Sequence, residues 1–437
     1  METPFVAGQP SPPPRSLWAA VTPERPRLAR LNGRQHTDVA IIGGGFMGLT
    51  AALKLAEASV GVALIEAAEI GWGASGRNNG LIAPGLKRDP HDVVSILGRE
   101  AGTRLLRLSG DAPRIVFELI GVHDIDCDVN DRGWIQAAHS RAARTQMEQR
   151  VRFWQRLGSD VTLIPDSGVA QRLGTDYYCG ALIDPRGGSL NPLAYVRGLA
   201  AAAGVAGADL FEQSPALKIE RDGSRWAVIT PEGVIVCSVV LCCTNAYGDG
   251  IPDLRAMVMP LRTAQIASEP LAEDQSRDIL PGGESASDTQ RLLTSFRLTT
   301  DNRLIMGGAS ATAGDEHQDL FNRLHRAARN RFPGLGDISW QYHWSGYLAL
   351  TRDHLPQIFK IADGYYAGIG CNGRGIAMAT ACGVELAALA HGQAERDCDI
   401  PVNKIRRVPG FALRHAGVSA AVLCKRILDY SERWFDR

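Results

Sequence analysis

The sequence predicts an α/β fold with α+β elements, in which a parallel sheet is accompanied by a second domain built on a mixed sheet. Three observations predict it: a strand–helix–strand unit at residues 37–66, a second glycine-rich helix start at residues 370–375, and strand-rich segments between them. The chain has 437 residues, of which 45% are hydrophobic, so it is long enough to bury the cores of two domains.

The first unit joins two apolar strands through a glycine-rich turn and a helix. Residues 39–42 and 60–65 are apolar runs typical of buried parallel strands, and residues 46–58 have a helical pattern. The second strand ends at Glu66. This order of elements, namely strand, glycines, helix, strand and acid, predicts a Rossmann-type dinucleotide-binding unit. The alternative is a glycine-rich turn of another α/β protein.

The glycines of this turn form the pattern G-x-G-x-x-G at residues 43–48. Gly43 permits the tight turn, Gly45 lets a pyrophosphate approach the backbone, and Gly48 lets helix and strand pack closely. The free N–H groups at the helix start attract phosphate, and Glu66 can accept hydrogen bonds from both ribose hydroxyls. The fingerprint alone does not distinguish FAD from NAD.

Two further loops favour a large flat cofactor. Residues 70–80 form a small-residue loop that can run beside a ring, and Ser75 and Arg77 can reach phosphate oxygens. Residues 370–375 follow a predicted strand and open a predicted helix. Glycines there allow close approach of the backbone, and helix-start N–H groups stabilise negative charge on a ligand, although a helix start without a ligand is the alternative.

These segments resemble the FAD-dependent amine and amino-acid oxidoreductases of the D-amino-acid-oxidase superfamily, and most resemble its gamma-glutamylputrescine oxidoreductase branch. The resemblance extends to residues 16–18, 187–192, 244–248, 296–304, 344–346 and 370–376, so it covers nearly the whole chain. It implies an FAD cofactor, a discontinuous Rossmann-type FAD-binding domain and a mixed-sheet substrate domain. The substrate itself is poorly specified.

The motifs and the resemblance together imply a set of FAD-contacting residues. They lie in the first turn, at the ribose acid, in the small-residue loop and in the later segments of the same domain: Gly43, Gly45, Phe46, Met47, Gly48, Glu66, Ala67, Gly73, Ala74, Ser75, Arg77, Asn78, Asn79, Gly80, Thr244, Asn245, Gly346, Asn372, Gly373, Arg374, Gly375 and Ile376.

The implied reaction needs no nucleophilic side chain. A neutral amine loses a hydride from the carbon next to nitrogen to the flavin, and water hydrolyses the resulting imine. An apolar, aromatic site would position that carbon and favour the unprotonated amine. Oxidation of a D- or L-amino acid or a cyclic imino acid is the enzymatic alternative, and FAD binding without amine turnover is the alternative of another class.

The candidates for positioning the substrate are aromatic residues and arginines. Phe46, Trp344, Tyr347 and Arg297 form the principal set, with Trp72, Tyr342 and Arg262 as further candidates. Core packing is the competing role for the aromatic side chains, and a structural salt bridge is the competing role for the arginines.

Three positions depart from the pattern of sarcosine oxidases in that superfamily. Gly346 stands where relatives carry the cysteine that bonds the flavin, so we expect noncovalent FAD. Ala377 and Ile305 stand where that branch has lysines, one for the substrate carboxylate and one for the reaction with oxygen. A simple amino-acid substrate is therefore less favoured, and both oxygen and a quinone remain open as electron acceptors.

Composition indicates which other classes of partner to expect. The 47 basic residues balance 47 acidic ones, so nothing indicates a nucleic-acid partner. No run of about 18 apolar residues predicts a transmembrane segment, although the basic and apolar residues 404–426 leave peripheral membrane contact open. Nine cysteines without a C-x-x-C pair favour a reducing cytoplasm. The acids beside His123 lack metal-ligand spacing, so we expect no metal.

The domain organisation follows from these segments. We expect an N-terminal tail at residues 1–36 and a C-terminal extension at residues 396–437. The FAD-binding domain is expected at residues 37–120, 187–254 and 344–395, and the substrate domain at residues 121–186 and 255–343.

Overall fold

The structure is a computed structural model that describes residues 14–248, 258–309, 317–405 and 428. In these ranges the helices are α1 (Leu17–Val21), α2 (Phe46–Glu57), α3 (Pro90–Leu97), α4 (Arg99–Val122), α5 (Arg141–Arg156), α6 (Asp166–Leu173), α7 (Pro192–Val205), α8 (Glu273–Ser276), α9 (His317–Arg331) and α10 (Gly375–Ala390).

The strands in the same ranges are short, except for two long ones in the second half of the chain. They are β1 (Gly33–His36), β2 (Val39–Ile42), β3 (Val62–Ile65), β4 (Leu81–Ile82), β5 (Trp134–Ala138), β6 (Thr162–Ile164), β7 (Gly180–Asp184), β8 (Gly188–Ser189), β9 (Asp209–Phe211), β10 (Lys218–Asp222), β11 (Arg225–Ile229), β12 (Gly233–Cys237), β13 (Val239–Cys242), β14 (Met259–Pro270), β15 (Ser285–Asp288), β16 (Thr294–Leu298), β17 (Arg303–Ala309), β18 (Trp340–Leu350), β19 (Gln357–Ala362), β20 (Tyr365–Ile369) and β21 (Val402–Lys404).

A seven-stranded sheet lies at the centre of the nucleotide-binding part, in the order β21-β19-β20-β13-β2-β3-β9. Strand β2 pairs in parallel with β3 and β13, and β13 pairs in parallel with β20. Every residue of β2 and β3 is buried, which explains why both are continuous apolar runs. The predicted strand–helix–strand unit is thus present as β2, α2 and β3.

Helix α2 is enclosed by other helices as well as by the sheet. It packs against α7 and α10. The approach of α10 is close, since a Cβ on Gly383 would crowd the Thr50 Cβ at 2.8 Å. This contact fixes the helix that follows the first glycine turn against the helix that follows the second glycine-rich loop.

The second sheet has eight strands in the order β18-β14-β17-β16-β15-β5-β7-β6. Its neighbours pair antiparallel, apart from the parallel pair β15–β5. Side chains of α9 share a hydrophobic core with it, including Leu320 and Leu324 against Phe296 and Met306. The predicted fold class, a Rossmann-type α/β domain beside a mixed-sheet domain, is confirmed.

Two of the expected domain limits differ from the observed sheets. Residues 344–350 were expected in the FAD-binding domain, but they belong to β18, which pairs with β14 along most of its length. Strand β21 lies in the expected C-terminal extension, yet it adds to the edge of the seven-stranded sheet beside β19. Residues 406–427 and 429–437 of that extension lie outside the described residues.

Residues 14–36 were expected as a tail but pack onto the domain. The Ser16 hydroxyl accepts a hydrogen bond from the Ala19 N–H and caps α1, whose Leu17 and Trp18 are 1% and 2% exposed. The Trp18 indole donates to the Asn78 carbonyl at 2.8 Å, and β1 pairs in parallel with β12. The sequence does not predict this docking, because the partners of Trp18 are distant in the chain. The five prolines before α1 are typical of a tail.

The docked N-terminal segment gives a test of stability. Trp18→Ala should lower the free energy of unfolding by about 3–5 kcal/mol, because it removes a fully buried indole and leaves a cavity. Trp18→Phe keeps most of the apolar volume and should cost clearly less. Urea unfolding followed by far-ultraviolet circular dichroism measures both, and an alanine variant as stable as the parent would contradict the docking.

Candidate cofactor and substrate site

The first glycine turn has the geometry that its sequence predicts. Gly43 lies at φ +113°, and a Cβ there would sit 3.0 Å from the Cys243 carbonyl oxygen. A Cβ on Gly48 would overlap the Gly43 carbonyl oxygen. Helix α2 can therefore begin directly against the turn only because both positions lack a side chain.

Glu66 closes the turn at the end of β3. Its carboxylate accepts hydrogen bonds from the Gly44 N–H at 2.7 Å and the Ala68 N–H at 2.9 Å. Burial raises the pKa of this carboxyl group, and the two N–H bonds oppose that shift. Each carboxylate oxygen has a further lone pair, so Glu66 can still accept ribose hydroxyls in the cleft that it lines.

The small-residue loop at residues 72–80 is tied to the start of α2 and to β18. The Ser75 hydroxyl accepts a hydrogen bond from the Phe46 N–H at 3.0 Å, at the helix N-terminus where a phosphate would bind. The Arg77 guanidinium instead donates to the Trp72 carbonyl at 2.7 Å and the Ser345 carbonyl at 3.3 Å. Arg77 thus joins the loop to β18.

The later loop, at residues 370–375, is fixed by its neighbours through two asparagines. Asn372, at φ +48°, accepts the Thr351 N–H at 3.0 Å, and Gly373 follows at φ +88°. Asn245 at the end of β13 accepts the Gly370 N–H at 3.1 Å. These hydrogen bonds hold the loop in place, and residues 371–376 form part of the wall of a cavity.

Two adjoining cavities lie along these loops. A nucleotide cleft of about 110 Å³ runs over the first turn and Glu66, and a main cavity of about 570 Å³ lies between the later loop and the eight-stranded sheet. They share wall residues, namely Phe46, Ala74, Ser75, Asn245 and Ala379. An elongated cofactor can therefore extend from one into the other.

Unsatisfied polar atoms in the walls fit a bound dinucleotide. The Thr244 hydroxyl in the cleft and the Asn79 side-chain oxygen in the main cavity are buried without a hydrogen-bond partner in the described part of the chain. Buried polar groups are nearly always paired, so both positions fit a ligand with donors and acceptors. The residues present are therefore compatible with FAD.

The predicted substrate-positioning aromatics occupy three different environments. Phe46 lines both cavities at the start of α2, and Tyr347 lines the main cavity from β18. Trp344 lies outside both walls, is 2% exposed, and donates from its indole to the Arg77 carbonyl at 2.8 Å. Trp72 lines the nucleotide cleft, and Tyr342 packs against the hydrophobic core.

The two candidate arginines lie outside both walls as well. Arg297 is 4% exposed and donates to the Asn79 carbonyl at 3.0 Å and the Leu190 carbonyl at 2.8 Å. Burial lowers its pKa to about 10. Arg262 donates to the Ser345 hydroxyl at 3.2 Å. These contacts suit a structural role better than contact with a substrate.

Sequence reasoning missed much of the main cavity wall. Alternate residues of β14 line it, and so do side chains of neighbouring segments: Met259, Leu261, Thr263, Gln265, Lys87, Ser287, Arg291 and Ser295. Alternation along a strand is the signal that could have found the β14 residues. Both faces of β14 are largely buried, however, so alternation alone does not show which face meets the cavity.

Within the described ranges, no helix is long and apolar enough to cross a membrane. No three His, Cys, Asp or Glu side chains are grouped there as a metal site requires, and His123 lies 3.1 Å from the Glu57 carboxylate.

Comparison with known proteins identifies the family. Residues 38–389 match the family model described as FAD dependent oxidoreductase, abbreviated DAO. The chain belongs to this family. It is 32% identical over 405 residues to a probable oxidoreductase OrdL of Rhizobium meliloti (strain 1021), covering 92% of this chain and 93% of the relative. It is also 32% identical over 384 residues to gamma-glutamylputrescine oxidoreductase of Escherichia coli (strain K12), covering 87% and 90%.

Solved structures show the same fold. Glycine oxidase from Geobacillus kaustophilus superposes with a TM-score of 0.69 at 22% identity, covering 82% of this chain and 96% of the other. The family match and the two relatives at 32% identity confirm the resemblance to FAD-dependent amine and amino-acid oxidoreductases, and with it the expectation of an FAD-dependent oxidoreductase.

The close packing at Gly48 gives a test of cofactor binding. Gly48→Ala should abolish stable FAD binding, because its Cβ would displace the turn that faces the pyrophosphate. Gly204→Ala is the matched control, since Gly204 also lies in a helix but its Cβ would meet nothing within 4 Å. The ratio of flavin to protein absorbance after purification with added FAD measures the effect, and equal ratios in both variants would contradict it.

Proposed function

We propose that this protein oxidises the C–N bond of an amine with FAD as its cofactor, and that gamma-glutamylated amines are the favoured substrate class. The observation that carries this proposal is the main cavity, which adjoins the nucleotide cleft and is walled by the later glycine-rich loop and the mixed sheet. The 32% identity to gamma-glutamylputrescine oxidoreductase over most of both chains supports the substrate class.

Bound FAD would supply a two-electron acceptor for the hydride that leaves the carbon next to nitrogen. The protein would contribute position and environment. Gly43, Gly45, Glu66 and Ser75 would hold the nucleotide half in the cleft, and the backbone of residues 372–376 would stabilise negative charge near the helix start. A water molecule would hydrolyse the oxidised amine to a carbonyl compound and the released amine or ammonia.

The apolar part of the main cavity would favour the reactive form of the substrate. Met259, Leu261, Leu348 and Leu350 line it, with Tyr347 beside them. Apolar walls disfavour an ammonium ion and therefore favour the neutral amine, which is the form that can lose a hydride. We assign positioning of the substrate to Phe46 and Tyr347, since both line the cavity.

We also propose that FAD is held noncovalently. Gly346 has no side chain to bond the flavin and lies within 3.2 Å of the Arg77 side chain, measured from the position that a Cβ would take. Cys371 lines the main cavity, but burial raises the pKa of its thiol to about 12, so it stays protonated. A protonated thiol is a poor nucleophile toward a flavin.

We propose a cytoplasmic location and an electron acceptor that is oxygen or a quinone. The eight described cysteines are free thiols, which supports a reducing compartment. The balance of acidic and basic residues supports a small-molecule substrate over nucleic acid. Peripheral membrane contact through residues 406–426 falls outside the described residues.

The reaction can be tested directly by flavin reduction. Anaerobic addition of a gamma-glutamyl amine should bleach the visible absorbance of the flavin, because the cofactor accepts the hydride. Free polyamines, D- and L-amino acids and cyclic imino acids complete the panel. Bleaching by amino acids alone would favour the second enzymatic assignment, and no bleaching by any compound would reject amine turnover. Readmission of air then shows whether oxygen restores the oxidised spectrum.

The mode of cofactor attachment has a separate test. Precipitation of the protein with acid should release all yellow colour into the supernatant, because no covalent bond holds FAD. A coloured pellet, or a flavin-bearing peptide mass after proteolysis, would contradict the proposal.

A further inference from the structure

The wall of the main cavity has an uneven charge. Among the described residues that line it, the basic ones are Arg77, Lys87, Arg291 and Arg374, together with His354, and none is an aspartate or a glutamate. A cavity with basic walls favours an anionic group on the molecule that enters it.

Arg374 differs from Arg77, another arginine of this wall, because its Nε has no hydrogen-bond partner among the described residues. Arg77 is committed to two backbone carbonyls and stacks over Trp72, with its guanidinium carbon 4.3 Å from the ring centroid. The Arg374 Nε is enclosed and has no hydrogen-bond partner in the described chain. Its guanidinium carbon lies 4.5 Å from the ring centroid of Trp134, over the indole. Trp134 lines a smaller cavity of about 20 Å³, and Arg374 borders both this cavity and the main one.

The charged groups that act on Arg374 are Asp184 and Arg150, and each already has another ion-pair partner. Asp184 accepts two side-chain bonds from Arg186, at 2.9 and 2.7 Å. Asp89 accepts from Arg150 at 3.0 Å. The two aspartates, their two arginine partners and Arg374 together carry three positive and two negative charges. This group therefore has one excess positive charge.

The unfavourable environment of the Arg374 charge suggests that a ligand supplies the opposite charge. Burial, and then the nearby Arg150, lower the pKa of Arg374 to about 10, so the guanidinium is charged at neutral pH in a place that disfavours charge. The Arg374 side chain is only partly buried, but its Nε is enclosed. An enclosed donor without a partner is costly, and functional sites are where such groups concentrate. An incoming carboxylate would supply the missing charge and satisfy the Nε–H.

We propose that Arg374, stacked on Trp134, is the subsite that binds a carboxylate of the substrate, remote from the reacting nitrogen. The inference rests on the proposed amine oxidation and makes it more specific, because it predicts a substrate that bears both an amine and an anionic end. Ser287, which accepts the Trp134 indole N–H at 3.2 Å, lines the same cavity and fixes the ring under the guanidinium. Sequence reasoning had placed Arg374 only in the cofactor set.

The subsite can be tested without turnover. The FAD-loaded protein is titrated with glutarate, a dicarboxylate that has no oxidisable amine, and binding is followed by the shift of the visible flavin spectrum and by calorimetry. Arg374→Gln should weaken glutarate binding by about 10- to 100-fold, the range expected for losing hydrogen bonds to a charged group. Arg374→Lys keeps the charge but not the fork, so its loss should be smaller.

Controls separate this subsite from the cofactor site and from general charge effects. Arg114→Gln removes an exposed helix arginine that pairs with Glu118, and it should bind glutarate as the parent does. FAD content and thermal midpoint are measured for every variant. Loss of FAD in both Arg374→Gln and Arg374→Lys would overturn the proposal, because it would assign Arg374 to the cofactor. The proposal would also be overturned if the parent protein did not bind glutarate, or if Arg374→Gln bound it as tightly as the parent.

Failure of the carboxylate subsite can be distinguished from failure of the proposed amine oxidation. Glutarate binding that depends on Arg374, in a protein whose flavin no amine reduces, would support the subsite and reject amine oxidation. Bleaching by neutral amines as readily as by gamma-glutamyl amines, with the Michaelis constant of both unchanged in Arg374→Gln, would support amine oxidation and overturn the subsite.

Discussion

The parallel pairing of β2, β13 and β20 is the constraint on which the site depends. Parallel strands place their carboxyl ends at one edge of a sheet, and ligands of open α/β sheets bind at that edge. The segments that follow these strands are in contact there. Gly43 lies against the Cys243 carbonyl, and Asn245 accepts the Gly370 N–H. Because the three strands come from distant parts of the chain, a discontinuous domain is the necessary result.

The mixed sheet is fastened to this edge by polar contacts of buried side chains. Arg77 reaches from the small-residue loop to the Ser345 carbonyl, and Trp344 returns a hydrogen bond to the Arg77 carbonyl. Arg297 reaches in the opposite direction, to the carbonyls of Asn79 and Leu190. The cavity lies between the two parts, so its shape depends on these side chains even where they do not line it.

Local patterns predicted the backbone geometry of the glycine turn better than they predicted the walls of the main cavity. A glycine turn, a helix start and a strand-end acid act within about 30 residues, and each is specified by near neighbours in sequence. Arg297 lies in β16, which is largely buried on both faces, and Trp344 lies in the buried middle of β18, so sequence could not show which face meets the cavity. Trp18 and Arg374 depend on partners that only the fold brings together.

The charge of the cavity connects substrate recognition to reactivity. Two unit charges about 4 Å apart interact by roughly 4 kcal/mol at the effective dielectric constant of about 20 that applies near a protein surface. Basic walls therefore oppose a bound ammonium and favour the neutral amine. They would penalise a free diamine twice, since both of its ends are cationic. In the proposed reaction, a substrate with a carboxylate at one end would pair with Arg374, and its amine end would be left neutral beside the apolar wall, where the oxidation requires it.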